Sequence, residues 1–373
     1  MKRKEEVIII GGGVIGTACA YFLSRRGVQV LLLERDHLGA GASGTTAAII
    51  GIGGTSGAPE TLRRLSIESF DLILDIEQDF NQPLEIISNG ALHVAMNSRE
   101  ALDLKPAYDE VCDMGIDAQW MVGAEIRRFE PLLGSDAHTA FYHPASYHVN
   151  PFRLYEGYLE AAVRRGSRVE YGVQVREIKL KNNRIDRIVT TNGEYRADWA
   201  VVAAGAWTPE TLSSLAIKIP IVPARGQVIL TEACSQRTQH LLSFADHLYI
   251  KQTASGNFYL GSHTEFVGFE NRITLGKIAN FTRAFTRAVP FIANLRALRF
   301  FAGFRPVSED NLPIIGPVPE CPKLIVASGH GRTGMRYSAA TGKAVSELIV
   351  DGTTEHPLDA FAVDRFAKKL EEQ

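Results

Sequence analysis

The chain has 373 residues, of which 45% are hydrophobic, and it carries a formal net charge of −2 with a sequence pI of about 6.6. This length and apolar content are enough for a large core and indicate about two domains. The near-neutral charge gives no sign of binding to nucleic acid or to an anionic membrane surface, and no apolar stretch is long enough to span a bilayer.

The first predicted element is a strand that runs into a glycine-rich turn, Val7 to Gly16 (VIIIGGGVIG). Gly11 allows the tight turn, Gly13 lets the backbone approach a pyrophosphate, and Gly16 lets the next helix pack on the strand. The start of that helix then directs N–H groups and partial positive charge at the phosphates. Glu34 follows about 20 residues later, where a carboxylate accepts hydrogen bonds from an adenosine ribose. The order predicts a dinucleotide site rather than a plain strand–helix turn.

The surrounding pattern supports this prediction. Apolar residues over 14–23 recur at helical spacing, Gly27 stands where the helix should stop, and residues 28–34 form a continuous apolar run typical of a buried parallel strand. Residues 39–57 are rich in glycine, alanine, serine and threonine, and such small side chains predict backbone close to a bulky ligand. The alternative is a flexible linker, in which the isoleucines at 49, 50 and 52 would be unusual.

The rest of the chain alternates between helical and strand patterns. Predicted helices cover 59–80, 124–129, 150–165, 276–289 and 339–350. Predicted strands cover 85–96, 169–175, 178–189, 197–204 and 324–327, with the second and third paired antiparallel, and residues 221–300 are rich in strand. The last strand, a glycine-rich loop at 329–334 and the closing helix repeat the dinucleotide pattern near the end of the chain.

We therefore predict an α/β fold, α+β overall, in two domains. Segments 1–81, 149–217 and 303–373 form a Rossmann-like dinucleotide-binding domain that is discontinuous in sequence. Segments 82–148 and 218–302 form an inserted substrate domain built on an antiparallel sheet.

Other classes of site lack their signatures. Cys19, Cys112, Cys234 and Cys321 are widely spaced, which predicts neither a zinc site nor a disulfide framework. No histidine pattern indicates a metal site, and the chain has neither G-x-S-x-G nor a P-loop. The basic start of the chain lacks the apolar region of a secretory signal, so we expect a cytoplasmic protein with reduced thiols.

Six segments in this order resemble the D-amino-acid oxidase/glycine oxidase/sarcosine oxidase family of FAD-dependent amine oxidoreductases. Glycine oxidase is the most similar member in length and in the last segment, and β subunits of dye-linked proline, hydroxyproline and opine dehydrogenases share the motifs. The segments are 10–16 (IGGGVIG), 41–46 (GASGTT), 203–207 (AAGAW), 301–306 (FAGFRP), 312–317 (LPIIGP) and 328–342 (SGHGRTGMRYSAATG).

The resemblance implies FAD as cofactor. Cys321 lies in a Pro-Glu-Cys-Pro turn, and no cysteine matches a covalent-flavin position, so we expect FAD to be bound non-covalently. Val175, which matches an adenine contact, could equally be an ordinary strand residue. The implied cofactor residues are Gly11, Gly13, Val14, Ile15, Gly16, Glu34, Arg35, Ser43, Gly44, Thr45, Thr46, Ala47, Val175, Ala204, Gly205, Trp207, Gly329, His330, Gly331, Arg332, Thr333, Gly334 and Met335.

The loop 329–334 also has a physical argument of its own. Its backbone N–H groups stand before a helix, where they can stabilise negative charge on the reduced flavin. The alternative is a purely structural left-handed turn, although three glycines in six residues exceed what one helix cap needs.

Arg305 is the main candidate for binding the substrate. It follows an apolar run, where an arginine is costly unless paired, and its planar fork suits a carboxylate. In the family the matching arginine binds the substrate carboxylate, and the alternative is an ion pair with Glu309 or Asp310. Arg332 and Tyr249 match active-site residues of glycine oxidase, and His263 matches one of sarcosine oxidase. The alternatives are a surface role for Arg332, a core role for Tyr249 and an ordinary strand role for His263.

The reaction that the resemblance implies is oxidation of the C–N bond of a small amino acid or N-substituted amino acid. Hydride passes to flavin N5, and the resulting imine is hydrolysed, so no side-chain base is required. Tyr259 stands where the sarcosine oxidase branch has an oxygen-activating lysine, which leaves two acceptors: O2, or a partner subunit as in the dye-linked dehydrogenases. A flavin-bearing scaffold without turnover and an NAD-dependent dehydrogenase are the remaining alternatives. The sequence does not give the oligomeric state.

Overall fold

The computed structural model describes residues 4–52, 58–215 and 217–366. The start of the basic N-terminal segment and residues 53–57 of the small-residue stretch lie outside these described residues, as do residue 216 and residues 367–373 at the ends of two predicted segments. The strands of the described chain form two eight-stranded sheets and one two-stranded sheet.

The first sheet has the strand order β17-β18-β11-β1-β2-β8, with the hairpin of β9 and β10 attached to β11. The pairs from β18 to β8 are parallel, and β17 adds an antiparallel edge. The central strands are buried apolar runs because helices cover a parallel sheet. Its strands are β1 Lys4–Ile10, β2 Val30–Leu33, β8 Arg168–Glu170, β9 Val175–Lys181, β10 Arg184–Thr190, β11 Gly193–Val202, β17 Ile314–Val318 and β18 Cys321–Ser328.

Helices α1, α2, α5 and α8 pack together beside the first sheet around one apolar core. Helix α7 packs on the second sheet instead. None of the helices in the described part of the chain combines the length and the apolar character needed to cross a lipid bilayer. The helices are α1 Val14–Arg25, α2 Glu60–Ile76, α3 Ser98–Asp113, α4 Ala124–Phe129, α5 Pro151–Arg164, α6 Thr208–Thr211, α7 Leu275–Ala288 and α8 Gly334–Val350.

The second sheet has the order β16-β12-β15-β14-β13-β4-β6-β5 and is antiparallel except for the pair β13–β4. Successive side chains alternate between its faces. Leu92, Leu242 and Ile250 pack against α7 on one face, so His93, Ser243 and Tyr249 lie on the other. The strands are β4 Ala91–Ala95, β5 Gln119–Val122, β6 Thr139–His143, β12 Ile221–Ala233, β13 Leu241–Phe244, β14 Tyr249–Gln252, β15 Asn257–Gly261 and β16 Ala297–Ser308, and the small sheet pairs β3 Ile49–Gly51 with β7 Ser146–His148.

The predicted mixed α/β fold is confirmed by these two sheets, whereas the division into domains at the stated residues stays a prediction. The predicted pairing of 169–175 with 178–189 was wrong. β8 joins the first sheet in parallel with β2, and the hairpin is formed by β9 and β10. Its two-residue turn is Asn182-Asn183, with φ values of 52° and 56°, which suit the asparagine-rich turns of tight hairpins.

Further elements also differ from prediction. Only 91–95 of the predicted strand 85–96 is strand, and α8 begins at Gly334 rather than 339. Helix α3 was not predicted, because its sequence is polar, contains Pro106 and buries only Val111 among its residues. Its start did carry a signal: the Asn97 side chain accepts from the Glu100 amide, the Asn-x-x-Glu pattern of a capped helix.

Candidate active site

A long cavity runs between the first sheet and the inner face of the second sheet, and most of the predicted site residues lie in its wall. They are Gly11, Gly13, Val14, Ile15, Glu34, Arg35, Ser43, Thr45, Thr46, Ala47, Val175, Ala204, Gly205, Trp207, Tyr249, Arg305, His330, Gly331, Arg332, Thr333, Gly334 and Met335. We call the part around Gly11, Gly13, Val14 and Glu34 the glycine end. The part around Tyr249, Arg305 and Arg332 is the arginine end.

The glycine end is shaped by backbone. Gly11 has φ of 111°, and a Cβ built on it would lie 2.5 Å from the Ala203 carbonyl oxygen, so a side chain has neither the conformation nor the space. The Gly12 amide donates to the Glu34 carboxylate at 2.6 Å, and the Asp36 amide donates to it at 2.8 Å. The acid is therefore held beside the turn, at the end of β2, as a ribose-binding carboxylate requires.

The start of α1 faces the same part of the cavity. The Val14 amide donates to Ser43 Oγ at 3.0 Å, which brings the turn at 42–45 over the helix start. Further along the wall, the Arg35 guanidinium lies over the Trp207 ring at 3.9 Å from its centroid. A glycine turn, a helix start, an acid and a cation–aromatic pair fit the phosphates, ribose and adenine of a dinucleotide.

At the arginine end, Arg305 is held by neutral groups. Its Nη1 donates to the His263 carbonyl at 3.0 Å and to Thr264 Oγ1 at 3.1 Å, and its Nη2 donates to Ser262 Oγ. Asp310, the alternative partner, binds Arg365 instead at 2.8 and 3.0 Å. Burial lowers the pKa of Arg305. Its charge therefore has no carboxylate partner in the described part of the chain.

Arg332 and Tyr249 lie in the same part of the wall. The side chain of Arg332 donates to the His247 carbonyl at 3.2 Å, and desolvation and the charge of Arg305 lower its pKa to about 10. Desolvation raises the pKa of Tyr249 to about 12, so its hydroxyl keeps its proton at neutral pH. Asp246 and His247, with φ values of 55° and 60°, form a strained turn that one residue separates from β14, and His247 also lines the cavity.

Two glycines that the sequence did not single out make room for these side chains. A Cβ built on Gly226 would lie 2.5 Å from Arg305 Nη2, and one built on Gly261 would collide with the Tyr249 hydroxyl. Both glycines stand on strands next to the residue that they accommodate. Only the pairing of strands reveals this role.

Four predicted site residues do not line the cavity. Gly16 and Gly44 lie against backbone carbonyls of the glycine end, where a Cβ would collide, and Gly329 lies against Ile314. The ring of His263 packs on Phe281 with centroids 4.7 Å apart, and His263 reaches the site only through the carbonyl that Arg305 binds. It follows β15 rather than lying in a strand, so neither an active-site contact nor a strand role is seen for it.

Lys251 is a further polar residue at the site that the sequence did not indicate. Its Nζ donates to the carbonyls of Ala47 at 2.6 Å and Val149 at 2.8 Å, and the residue is 4% exposed. Desolvation lowers its pKa to about 7. Lys251 thus ties the cavity-lining segment at Ala47 to the second sheet.

A parallel sheet with this glycine end, closed by a second sheet that carries an arginine end, defines a dinucleotide-dependent oxidoreductase. The family model described as "DAO: FAD dependent oxidoreductase" matches residues 6–348, and the chain belongs to this family. The protein is therefore an FAD-dependent oxidoreductase, as the resemblance of its motifs predicted.

Similar proteins support the same assignment along nearly the whole chain. The chain is 29% identical to hydrogen cyanide synthase subunit HcnC of Pseudomonas aeruginosa over 407 residues, covering 98% of this chain and 97% of that protein. It is 26% identical to glycine oxidase of Geobacillus kaustophilus, with 99% of both chains covered. The crystal structure of that glycine oxidase superimposes with a TM-score of 0.93 over 98% of this chain and 99% of that one. Iminodiacetate oxidase from Chelativorans sp. BNC1 is 25% identical, with a TM-score of 0.87 over 96% and 98% of the two chains.

Proposed function

We propose that this enzyme oxidises the C–N bond of an amino acid or N-substituted amino acid whose carboxylate binds at the arginine end. The observation that carries the proposal is the pair of guanidinium groups of Arg305 and Arg332. Both line one cavity, their charges repel each other, and no carboxylate pairs with either in the described part of the chain. Two cations in this arrangement favour an anion between them.

Residues of the chain would position both reactants. Arg305 offers its fork to the carboxylate, and the protonated hydroxyl of Tyr249 can donate a further hydrogen bond. FAD, when bound at the glycine end, supplies the acceptor for the α-hydrogen, which leaves as hydride. Gly334 and Met335 start α8 and line the cavity, and because the first N–H groups of a helix have no intrahelical partner, they can stabilise the added negative charge.

Names of similar proteins support this substrate class. Glycine oxidase and iminodiacetate oxidase are named for an amino acid and an N-substituted amino acid. The alternative acceptor, a redox partner subunit in place of O2, is favoured by the similarity to HcnC, which is named as a subunit. The four cysteines are free, which supports our placing the reaction in the cytoplasm.

Anaerobic bleaching of the flavin tests the proposal. The FAD-loaded enzyme is mixed without oxygen with glycine, sarcosine, iminodiacetate, both proline enantiomers, hydroxyprolines, D-alanine and opines, and the flavin absorbance is followed. We expect reduction by at least one compound, and Arg305→Met should slow it by roughly 10²–10³-fold at limiting substrate, because a charge pair is lost. The purified Arg305→Met variant should keep the absorbance of bound FAD.

The controls separate the alternatives. Arg305→Lys keeps the charge without the fork and should fall between the wild type and Arg305→Met. If no amine bleaches the flavin, or if Arg305→Met reacts like the wild type, the proposed function is wrong. Admitting air to the reduced enzyme then distinguishes acceptors, since rapid reoxidation with peroxide indicates an oxidase and slow reoxidation indicates a partner subunit.

A further inference from the structure

The cavity continues past Tyr249 along the second sheet to polar side chains that the proposed reaction does not use. One row of paired residues crosses the sheet: Tyr249 pairs with Ser243, Ser243 with His93, and His93 with Phe141. All four line the cavity. Because neighbouring strands lie about 4.8 Å apart, the backbones of Tyr249 and His93 are separated by about 10 Å.

We call the part of the cavity around His93, Ser243, His143 and Arg336 the distal end. Beside it, the cavity wall is formed by the paired apolar residues Ala91 and Leu241. The acidic residues in the described cavity wall are Glu34 and Glu210, and neither belongs to the second sheet. The described wall of the distal end therefore combines polar side chains with the apolar Ala91 and Leu241 and carries no acidic side chain.

Arg336 brings a positive charge to this tip from the first turn of α8. It is 9% exposed, and its Nε donates to Ser66 Oγ at 2.8 Å. Burial lowers its pKa, while Tyr337 and Glu110 act in the opposite direction, and a guanidinium keeps its proton at neutral pH. Burial and the charge of Arg336 lower the pKa of His143 to about 4, so this imidazole is neutral beside the cation.

The two imidazoles form a pair that can present one donor to the cavity. His93 Nε2 and His143 Nε2 are 3.3 Å apart, so one of the two N–H groups lies between them. His143 Nδ1 is buried, and no described residue is its hydrogen-bond partner, so an N–H there would be left unsatisfied by this part of the chain. The tautomer that avoids this has His143 donating to His93, which leaves His93 with an Nδ1–H group for a ligand. The His93 ring is held by stacking on Phe141, with centroids 4.5 Å apart.

We propose that the distal end binds a second carboxylate, so that the substrate is a dicarboxylic amino acid held at both ends of its carbon chain. The inference rests on the proposed function, in which the first carboxylate binds Arg305. Tyr249 and His93 stand two strand spacings apart, about 10 Å between backbones, which is more than a molecule the size of glycine spans. A cation, an imidazole N–H and the Ser243 hydroxyl are the groups that a carboxylate requires, and none of them serves the first carboxylate.

Inert acids provide a test that does not depend on turnover. Succinate, glutarate and adipate are titrated into the FAD-loaded enzyme against butyrate, valerate and hexanoate, and Kd is read from the shift of the flavin absorbance bands. We expect at least one dicarboxylate to bind 10-fold or more tighter than the monocarboxylate of equal length. Arg336→Leu should reduce this preference to about 2-fold. His93→Phe, which keeps the stacking on Phe141, should reduce the preference for dicarboxylates about 3-fold. This variant provides the test if Arg336→Leu fails to fold.

The outcomes separate this inference from the proposed function. One contrary result is that monocarboxylates bind in an Arg305-dependent way while dicarboxylates bind no tighter than they do. Another is that the tighter binding of dicarboxylates is unchanged in both His93→Phe and Arg336→Leu. Either result refutes the distal site and leaves the proposed function standing. If no carboxylate shifts the flavin bands and no amine reduces it, the proposed function itself fails. Reduction by iminodiacetate and N-(2-carboxyethyl)glycine, compared with both enantiomers of aspartate and glutamate, shows whether the second carboxylate is carried on nitrogen or on carbon.

Discussion

The glycine end and the arginine end of the cavity are built by different parts of the polypeptide. At the glycine end, backbone amides and a helix start act together with one acid, all within about 30 residues of sequence. At the arginine end, side chains from separate strands meet, and glycines on neighbouring strands leave space for them. Backbone geometry thus dominates one end and side-chain packing the other, so substitutions should separate the two functions.

The largest effect is expected for Gly11→Ala at the glycine end. The new Cβ would collide with the Ala203 carbonyl in a residue already at φ of 111°, so the turn must move. We expect FAD affinity to fall by about 100-fold or more, since a left-handed residue with a backbone clash costs several kcal/mol. Fluorescence titration of the apoprotein with FAD measures this.

Gly27→Ala is the matched control, because Gly27 also has positive φ, at 79°, but has nothing within 4 Å of its Cβ position and lies outside the cavity wall. It should lower the free energy of unfolding by roughly 1 kcal/mol and leave FAD affinity unchanged. Wild-type FAD affinity in Gly11→Ala would show that backbone fit does not govern this end.

A smaller effect that sharpens the comparison is expected for Gly226→Ala at the arginine end. The added methyl group would displace the Arg305 guanidinium, which can partly adjust because it is a flexible side chain. We expect the rate of anaerobic flavin reduction at limiting substrate to fall about 10-fold, roughly 1.4 kcal/mol, with FAD affinity within 2-fold of wild type. Gly276→Ala, with open space around its Cβ position on α7, is the control. An equal loss of FAD affinity would contradict the separation of the two ends.

The smallest effect on the cavity is expected at Lys251, which ties Ala47 to the second sheet, and its consequence is for the stability of the fold. Its pKa is lowered by desolvation from 10.5 to about 7, so between these values the unfolded chain binds a proton that the folded chain lacks. The free energy of unfolding should therefore rise with pH from about 7 to 10, by at most about 1.4 kcal/mol per pH unit from this group. Urea unfolding at pH 7, 8 and 9 should show a shallower rise in Lys251→Met than in the wild type. Lys181 is exposed, so the pH dependence of unfolding in Lys181→Met should match that of the wild type. If the free energy of unfolding rises with the same slope in all three proteins, the lowered pKa of Lys251 is refuted.

Much of the first sheet and its glycine end could be predicted because the signals are local. The turn at 11–16, the acid at 34 and the apolar runs of β1, β2 and β18 depend on residues close in sequence. The failures had physical causes as well. Helix α3 is polar and lies mostly at the surface, so it lacks an apolar stripe, and the short strand β8 is separated from β9 by a glycine with φ of 71° that the alternation pattern does not register.

The sequence alone determined the class of cofactor and the identity of the main cation, since a glycine turn and an arginine in an apolar run each have few physical uses. Only the tertiary structure decided which side chains share the cavity with Arg305. It placed His263 behind the wall, brought Gly226 beneath the guanidinium, and aligned His93 with Tyr249 across three strands. These relations depend on strand register between segments up to about 150 residues apart, and register is set by long-range packing that no local pattern encodes.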